Sequence, residues 1–350
     1  MGKLLVSTAL MLVALNATNL ANAGPEPAVA QAPIIQWPHD LPVYDHVVIV
    51  VEENKDYDQI IGNPKAAYIN GVLKAEGANF TQMFGEEHNS QGNYFWLFCG
   101  SNFDMGFDDV LPNSCNPFGY PFKASNLAAQ LIKKGRRFKG YSESLPAIGA
   151  TAEWVNDGDE HVYGRKHVPW ISFANVPNGS TKDTSCNLRW EDFPTDPRDY
   201  GRLPTVAFVV PNLRNDMHNG ELQHTISAGD QWLKQKLDPY YQWSKTHNSL
   251  LIVTFDECDE KTNYAGLTHP FVDPTDKLRK DLQNRTVTIF AGARIKPADY
   301  PEDRGITHVN ILRTLEAMYG LPKSGRQQPN AAGCGITDDY IITDIFARNP

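Results

Sequence analysis

Four apolar runs stand out along the chain, and each is continuous rather than alternating with polar residues. They are His46–Val51, Thr205–Val210, Ser249–Val253 and Thr286–Phe290. Short continuous apolar runs are typical of strands that are covered on both faces. Stretches with helical character lie between them, over Ala124–Lys134, Asp230–Lys245 (interrupted at Pro239) and Val309–Tyr319. Strands that alternate with helices predict an α/β fold, a three-layer α/β/α sandwich with a mostly parallel central sheet.

The N-terminal segment has the pattern of a secretory signal. Lys3 precedes an apolar stretch, and Ala21-Asn22-Ala23 fits a small-residue cleavage site. The stretch is too short to span a bilayer, which takes roughly 20 residues, and no later stretch is long and apolar enough. We therefore predict a signal peptide over residues 1–23, a secreted (extracellular or periplasmic) protein, and no stable membrane insertion.

The rest of the chain predicts one large domain. Residues 24–40 are rich in Pro and Ala and predict an extended lead-in. Residues 41–350 would then form a single domain. Its middle part, about 140–200, is loop-rich with many aromatic and charged residues, and we interpret it as an insertion that caps the cleft.

Three of the four predicted strands end directly in polar residues of the kind that bind ligands. The first gives Glu52-Glu53-Asn54, the second leads to Asn215-Asp216-Met217-His218, and the third gives Asp256-Glu257. Ordinary strand-to-loop transitions are polar too, so one such junction would mean little. In open α/β sheets, however, ligands bind outside the carboxyl ends of the strands. Three such junctions therefore predict one common pocket.

Glu53, Asn54, Asp256 and Glu257 are the predicted metal ligands. Clustered carboxylates repel one another unless a cation or a shared proton compensates them. Oxygen-rich sets prefer Mg²⁺, Ca²⁺ or Mn²⁺, and nearby histidines would admit Zn²⁺. For either acidic pair alone, a solvated turn is the alternative interpretation.

The segment His88–Asn93 places Ser90 at the mouth of an apolar helical stretch, Tyr94–Phe98. A helix N-terminus presents free N–H groups and favours negative charge, so it can hold a phosphoryl group attached to that serine. The alternative is an ordinary helix cap by Ser90 or Asn89. No GxSxG motif is present, which disfavours an esterase triad.

Histidines and cations near these motifs complete the predicted site. His218 and His167 could bind phosphoryl oxygens or protonate a leaving group, so with Ser90 they form the predicted catalytic set. The predicted substrate-binding residues are His88, Asn93, Arg165, Lys166, Asp216 and His308. Each histidine alone is more often structural. The remaining ones have no comparable context and are interpreted as non-functional, as is the thiol of Cys258: His39, His46, His161, His224, His247 and His269.

Composition narrows the class of protein further. The net charge of −9 disfavours non-specific nucleic-acid binding, although a metal can still attract an anionic substrate into one cleft. In an oxidising compartment, one or two disulfides are expected among Cys99, Cys115, Cys186, Cys258 and Cys334. Sequons that would suit a glycoprotein occur at Asn79, Asn178 and Asn284.

These motifs together resemble the phosphoesterase family that contains bacterial and fungal acid phosphatases and non-haemolytic phospholipases C. The resemblance begins at HVVIVVEENKDYDQIIG and HNSQGNYFWLFCGS, and it continues in the family's order to residue 322. The later motifs are YGRKHVPWISFANV, VVPNLRNDMHNGE, IVTFDECDE and THVNILRTLEAMYGLP.

The resemblance implies an alkaline-phosphatase-like fold, a phosphoseryl intermediate on Ser90, and a metal held by the Glu-Asn and Asp-Glu pairs. His167 and His218 match histidines of the phosphate pocket. There are two departures: Gly92 stands where a proline is usual, and Glu257 where some members have Asp. The phospholipase members carry extra C-terminal β domains that this sequence lacks, which favours the acid-phosphatase branch.

The sequence therefore predicts a secreted, metal-dependent hydrolase of small phosphomonoesters. Two alternatives stay open: a phosphodiesterase of the phospholipase C type, and an inert secreted binding protein on the same scaffold. The oligomeric state, the metal and the physiological substrate are not predicted.

Overall fold

The structure is a computed structural model that describes residue 38 and residues 41–105, 110–259, 284–301, 305–333 and 335–347. Several predictions lie outside these residues: the signal peptide, most of the lead-in, His39, His269 and Cys334. Among the described helices, none combines the length and the apolar character that a membrane crossing requires.

The centre of the described chain is a twisted sheet. Its strands are β1 (His46–Glu52), β2 (Ala78–Phe84), β3 (Phe138–Ser142), β6 (Asn187–Arg189), β7 (Val206–Val210), β8 (Ser249–Phe255), β9 (Arg285–Gly292), β10 (Ala298–Tyr300) and β11 (Ile306–Thr307). Their order is β10-β2-β9-β8-β1-β7-β3-β6, with β11 also pairing with β2. A separate hairpin is formed by β4 (Trp154–Asp157) and β5 (Glu160–Gly164).

The strands that position the site are parallel neighbours. β8, β1, β7, β3 and β6 run in one direction. β9 pairs antiparallel with both β8 and β2, and β2 pairs parallel with β10 and β11. The four strands predicted from apolar runs are all present, at β1, β7, β8 and β9. The prediction of a mostly parallel sheet is confirmed.

Helices cover both faces of this sheet, as the continuous apolar runs predict. They are α1 (Tyr57–Ile60), α2 (Ser90–Cys99), α3 (Leu127–Lys133), α4 (Leu222–Ser244), α5 (His308–Tyr319) and α6 (Pro329–Gly333). Alternate residues of β1 serve different cores: Val47 and Ile49 pack with α2, α3 and α5, whereas Val48 and Val50 pack with α4. The three-layer prediction is therefore confirmed.

One helix prediction is wrong at Pro239. The proline lies inside α4, which begins at Leu222 and runs through Ser244 without a break. Proline removes one backbone hydrogen bond and normally kinks a helix. Here burial of Leu237, Tyr240 and Tyr241 on the sheet holds the helix together on both sides of that position.

The segment predicted as a cap, about 140–200, contains two kinds of structure. The segment includes the end of β3 and all of β6, and both strands belong to the central sheet. The β4–β5 hairpin forms a separate two-stranded sheet. The remainder consists of loops and short 3₁₀ turns, among them Arg165–His167 and Pro169–Ser172.

The structure can be compared with the predicted disulfides and glycosylation sites. Cys99, Cys115, Cys186 and Cys258 are free thiols, so the described chain contains no disulfide among them. Asn79 and Asn284 are fully buried, so no glycan could be attached to either in the folded chain. Asn178 is exposed.

Candidate active site

The ends of three neighbouring strands bring the predicted acidic residues together. Glu53 follows β1, Asp216 follows β7, and Asp256 follows β8. Backbone hydrogen bonds join these ends: Glu53 N–H donates to the Asp216 carbonyl at 2.7 Å, and Asp256 N–H donates to the Glu52 carbonyl at 3.0 Å. The register of β1 and β8 thus continues one residue past the strands, and the turn that follows β7 brings Asp216 back to the same edge of the sheet.

Ser90 lies directly beside these carboxylates. It is the first residue of α2, behind Asn89, whose backbone has φ 90° and ψ 117°. The hydroxyl Oγ lies 3.0 Å from Glu53 Oε2 and 3.3 Å from Glu257 Oε1. Asn89 N–H also donates to Glu257 Oε2 at 2.9 Å. Glu257 therefore orients the loop that carries Ser90 as well as contacting its hydroxyl.

The first turn of α2 depends on Gly92, one of the two departures from the family pattern. A Cβ atom at this position would lie 1.5 Å from Glu87 Oε1. The Glu87 carboxylate therefore occupies the space that a side chain would need, and it accepts hydrogen bonds from Asn102 Nδ2 at 3.1 and 2.9 Å. Burial raises the pKa of Glu87 to about 8.

The acidic cluster is electrostatically costly without a cation. Burial, followed by the charge of Asp256 and Asp216, raises the pKa of Glu53 well above its ordinary value. Burial raises the pKa of Asp216 in the same way and that of Asp256 to about 6. The charge of Asp256 thus disfavours ionisation of Glu53 and Asp216, which is the pattern expected where a bound cation supplies the missing charge.

The donor atoms of this cluster fit a divalent metal. Glu53, His167 and Asp216 are buried and offer ligand atoms that all lie within 4.8 Å of one another. The side-chain nitrogen of Asn54 donates to Glu53 Oε2 at 3.1 Å and to Asp256 Oδ1 at 3.2 Å, so the amide would turn its oxygen inward to bind a metal. Among the described residues, Asp216 Oδ2 has no hydrogen-bond partner. Because a buried oxygen without a partner is costly, a cation here would satisfy groups that the described chain leaves unsatisfied.

His167 packs against this cluster as a neutral ring. Its imidazole stacks on the Tyr94 ring with the centroids 4.9 Å apart, and its Nε2 lies 3.3 Å from Glu53 Oε1. Burial, with the charges of Lys166 and His218, lowers the pKa of His167 well below its usual range. A neutral imidazole suits metal ligation or acceptance of a proton. Tyr94 also donates its hydroxyl hydrogen to Glu53 Oε1.

His218 lies on the open side of the site. It is partly exposed, and the centroid of its ring is 6.4 Å from that of His167. Its backbone N–H donates to Asp216 Oδ1 at 2.8 Å, and its Nδ1 lies 2.8 Å from Asn219 Oδ1. The turn therefore couples this histidine to the carboxylate cluster.

The structure also brings His88 to the site. Its Nδ1 lies 3.0 Å from Glu257 Oε2, and its Nε2 lies 3.7 Å from the sulfur of Cys258. Burial lowers the pKa of His88 to about 4, so the ring is neutral near pH 7. Cys258 is fully buried.

Two predicted substrate-binding residues have their polar atoms engaged with the protein. His308 Nδ1 lies 2.6 Å from Glu86 Oε2, and its Nε2 lies 2.8 Å from the Phe255 carbonyl. Both ring nitrogens thus face acceptors. Burial opposes a charge on this ring, but Glu86 outweighs it and the pKa of His308 is raised. Asn93 Oδ1 accepts from the backbone N–H groups of Glu86 and Glu87, at 2.9 and 3.1 Å. These placements brace the Ser90 loop.

The two basic residues predicted to bind substrate, Arg165 and Lys166, lie on the 3₁₀ turn that carries His167. Arg165 donates to the Tyr120 hydroxyl. Lys166 is buried, and its charge acts against the burial that raises the pKa of Glu53 and Asp216. The charge of Lys166 therefore acts on the carboxylates of the cluster, whereas Arg165 is half-buried and contacts Tyr120.

Three contributing residues were not singled out from the sequence. Tyr94 lies in an apolar run that predicts only helix core, although its spacing of four residues from Ser90 places it one turn along the same helix. Glu87 and Asn219 each neighbour a predicted residue. Nothing in the sequence indicates which polar neighbour of a catalytic residue contacts it.

A mostly parallel α/β sheet with a serine at a helix mouth beside buried carboxylates defines a phosphoric ester hydrolase of the alkaline-phosphatase-like type. The Phosphoesterase family model matches residues 64–322, and the chain belongs to that family.

Among individual relatives, the chain is 41% identical over 306 residues to a phosphatidylinositol-3-phosphatase of Mycobacterium tuberculosis, covering 87% of this chain and 84% of the relative. It is 28% identical over 289 residues to a phosphate-repressible acid phosphatase of Penicillium chrysogenum, covering 81% of this chain and 61% of that relative. A solved protein of the alkaline phosphatase superfamily from Vibrio parahaemolyticus has the same fold. Its TM-score is 0.50 at 12% identity, over 81% of this chain and 70% of that one.

Proposed function

We propose that the chain is a cation-dependent phosphomonoesterase that acts through Ser90. The observation that carries the proposal is the position of the Ser90 hydroxyl, 3.0 Å from Glu53 Oε2 and 3.3 Å from Glu257 Oε1 at the N-terminus of α2. A nucleophilic serine needs a neighbouring group that accepts its proton, and the developing charge needs donors that are already in place.

In the proposed first step, Ser90 Oγ attacks phosphorus in line with the leaving oxygen. Its proton passes to the adjacent carboxylate, the Oγ–P bond forms, and the ester P–O bond breaks. The backbone N–H groups of the first turn of α2 are oriented towards the phosphoryl oxygens. In the second step, water attacks the phosphoserine, phosphate leaves, and Ser90 regains its proton.

Glu53, Asn54, Asp216 and Asp256 would hold the cation, together with His167 or Glu257. When bound, a divalent cation would lower the pKa of the serine hydroxyl and stabilise the charge on the transferring group. Lys166 adds a fixed positive charge to the same buried region.

His218 is the proposed group that protonates the leaving oxygen. It is partly exposed, whereas His167 beside it is buried, so a leaving group that extends towards solvent would pass beside His218. His167, which is buried and neutral, is better placed to orient Glu53.

We propose phosphomonoesters as the substrate class, with phosphorylated inositol headgroups as the first to test. The M. tuberculosis relative is a phosphatidylinositol-3-phosphatase, and the fungal relatives are acid phosphatases. We also propose that the chain is exported, since its first 23 residues carry the signal pattern.

The test is to trap the phosphoserine. Protein stripped of metal and reloaded with Mg²⁺, Mn²⁺, Ca²⁺ or Zn²⁺ is mixed with a ³²P-labelled phosphomonoester and quenched in acid. We expect label on wild-type protein and on the exposed-site control Ser114→Ala, but none on Ser90→Ala. Label retained by Ser90→Ala would overturn the nucleophile assignment. Faster turnover of a choline phosphodiester than of the monoester would favour a phospholipase C-type activity instead.

A further inference from the structure

Asn219 contacts His218 from the side of the β4–β5 hairpin. We propose that Asn219 is a positioning residue that fixes which ring nitrogen of His218 carries hydrogen, and that Glu160 of the hairpin in turn fixes Asn219. The inference rests on the proposed role of His218 beside the reacting phosphoryl group, and it adds to that role a residue that does not touch the substrate.

The orientation of the Asn219 amide follows from its other partners. Its Nδ2 donates to Glu160 Oε1 and to the His161 carbonyl, both at 3.1 Å. A carboxylate and a carbonyl accept hydrogen bonds and cannot donate them. The nitrogen end of the amide must therefore face the hairpin, and Oδ1 must face His218.

That orientation determines the tautomer of His218. Its Nδ1 lies 2.8 Å from Asn219 Oδ1, an atom that only accepts. The favourable arrangement thus has hydrogen on Nδ1 and leaves Nε2 as the nitrogen that exchanges a proton with a leaving group. In the other tautomer two acceptors would face each other, and a half-buried hydrogen bond would be lost.

The backbone of this turn is held without the Asn219 side chain. His218 N–H donates to Asp216 Oδ1 at 2.8 Å, and Asn219 N–H donates to the Leu213 carbonyl at 2.9 Å. Met217 has φ 75° and is fully buried. It packs on Gly229, where a Cβ would lie 2.5 Å from the Met217 Cγ. Loss of the amide should therefore reorient the ring without unfolding the turn.

Glu160 is itself fixed from the opposite side. Arg214 Nε donates to Glu160 Oε2 at 2.6 Å, and Arg214 Nη1 donates to Asp157 Oδ2 at 2.7 Å. These groups are well exposed, so they contribute little to overall stability. The arrangement instead orients side chains: the hairpin fixes the Asn219 amide, and the amide fixes the His218 ring.

The experiment replaces Asn219 and reads both activity and tautomer. In Asn219→Leu we expect kcat to fall by about 10- to 100-fold with a smaller change in KM, as for other groups that orient a reacting residue. ¹⁵N NMR of the imidazole, at a pH where the ring is neutral, should show the Nδ1-protonated tautomer in wild type and a mixture in the variant.

The matched control is Asn156→Leu. Asn156 Oδ1 lies 2.6 Å from His161 Nδ1 on the same hairpin, so the control also removes an Asn–His contact, but at an exposed ring outside the site. We expect its kcat to stay within about twofold of wild type, as for other exposed substitutions.

A single variant and a compensating double variant distinguish loss of His218 orientation from a general loss of folding. Asn219→Asp keeps an acceptor for His218 but places a carboxylate against Glu160, so kcat should fall. In the double variant Asn219→Asp/Glu160→Gln, the amide introduced on the hairpin can donate to the carboxylate introduced on the turn and still accept from Arg214, so most of kcat should return.

Two results would overturn the proposal: an Nε2-protonated His218 in the wild-type protein, or an Asn219→Leu variant with unchanged kcat and tautomer. The NMR measurement does not require turnover. An inactive wild-type protein with the Nδ1-protonated ring would therefore refute the proposed function while supporting this positioning role.

Discussion

Ser90 Oγ lies 3.0 Å from Glu53 Oε2, across 37 positions of sequence. The contact joins the N-terminus of α2 to the end of β1, and it places a hydroxyl against a carboxylate whose pKa burial has raised. It is the point at which the two segments predicted to carry the nucleophile and the metal meet.

Glu53→Gln should separate stability from activity. The amide keeps an acceptor for Ser90, and unlike the carboxyl group, whose pKa is raised, it needs neither a proton nor a cation to be buried in this cluster. We expect the metal-free variant to be more stable than wild type by about 1–3 kcal/mol, and its turnover to fall by at least about 100-fold. Urea unfolding and steady-state kinetics measure the two effects. The control is the exposed Glu76→Gln, and equal stability of the two metal-free proteins would contradict the expectation.

A divalent cation should stabilise the folded chain through the same cluster. At a concentration about 100 times the dissociation constant, binding to the native state alone contributes about 2.7 kcal/mol. We expect the melting temperature of the stripped protein to rise on addition of the activating metal, and Asp216→Asn to weaken that rise. Asp45→Asn, on an exposed loop, serves as the control. An equal rise for Asp216→Asn and wild type would remove Asp216 from the ligand set.

Gly92→Ala should damage the nucleophile turn. The new methyl group would lie 1.5 Å from Glu87 Oε1, so either the carboxylate or the helix must move. We expect a loss of about 1–3 kcal/mol in the free energy of unfolding, as for other overpacked sites, together with reduced kcat. Gly71→Ala is the matched control, because no atom lies within 4 Å of its Cβ position. Adding Glu87→Ala to Gly92→Ala should restore part of the stability, and failure to do so would locate the clash elsewhere.

The buried Glu87 should make stability fall as pH rises. In the unfolded chain this carboxyl ionises near 4.5, whereas the folded chain keeps the proton until about 8. Its contribution is therefore complete below pH 4.5 and lost by pH 8, with a slope of at most about 1.4 kcal/mol per pH unit. Glu87→Gln should flatten the pH dependence of urea unfolding in this window. Glu76→Gln, at a carboxyl whose pKa is lowered by its hydrogen bond to Lys245, should leave the slope as it is.

The apolar runs predicted the central strands because a strand that is buried on both faces needs apolar side chains at consecutive positions. The strands β2 and β3 were not predicted, and β3 shows why. Its sequence FKGYS contains Lys139 and Gly140, yet the glycine is required because a Cβ there would lie 2.1 Å from the Trp170 ring. A partner distant in the sequence, and not local pattern, makes this segment a strand.

The part of the candidate site that could be predicted consists of polar residues that lie directly after the strands. Glu53, Asn54, Asp256 and Glu257 are found together with Ser90 because parallel neighbours end at the same edge. The surroundings of His308 were not predictable, since its pairing with Glu86 depends on packing between α5 and the Ser90 loop.

The β4–β5 hairpin lies outside the hydrogen-bonded central sheet, although it contacts the active-site turn through the Glu160 carboxylate and the His161 and Val162 carbonyls. Strand pairing of the catalytic framework thus places no demand on its length or tip sequence. A hairpin grafted from a relative should therefore leave the central sheet folded, but activity should survive only if the graft keeps Glu160 and the carbonyls that hold Asn219 and Leu213.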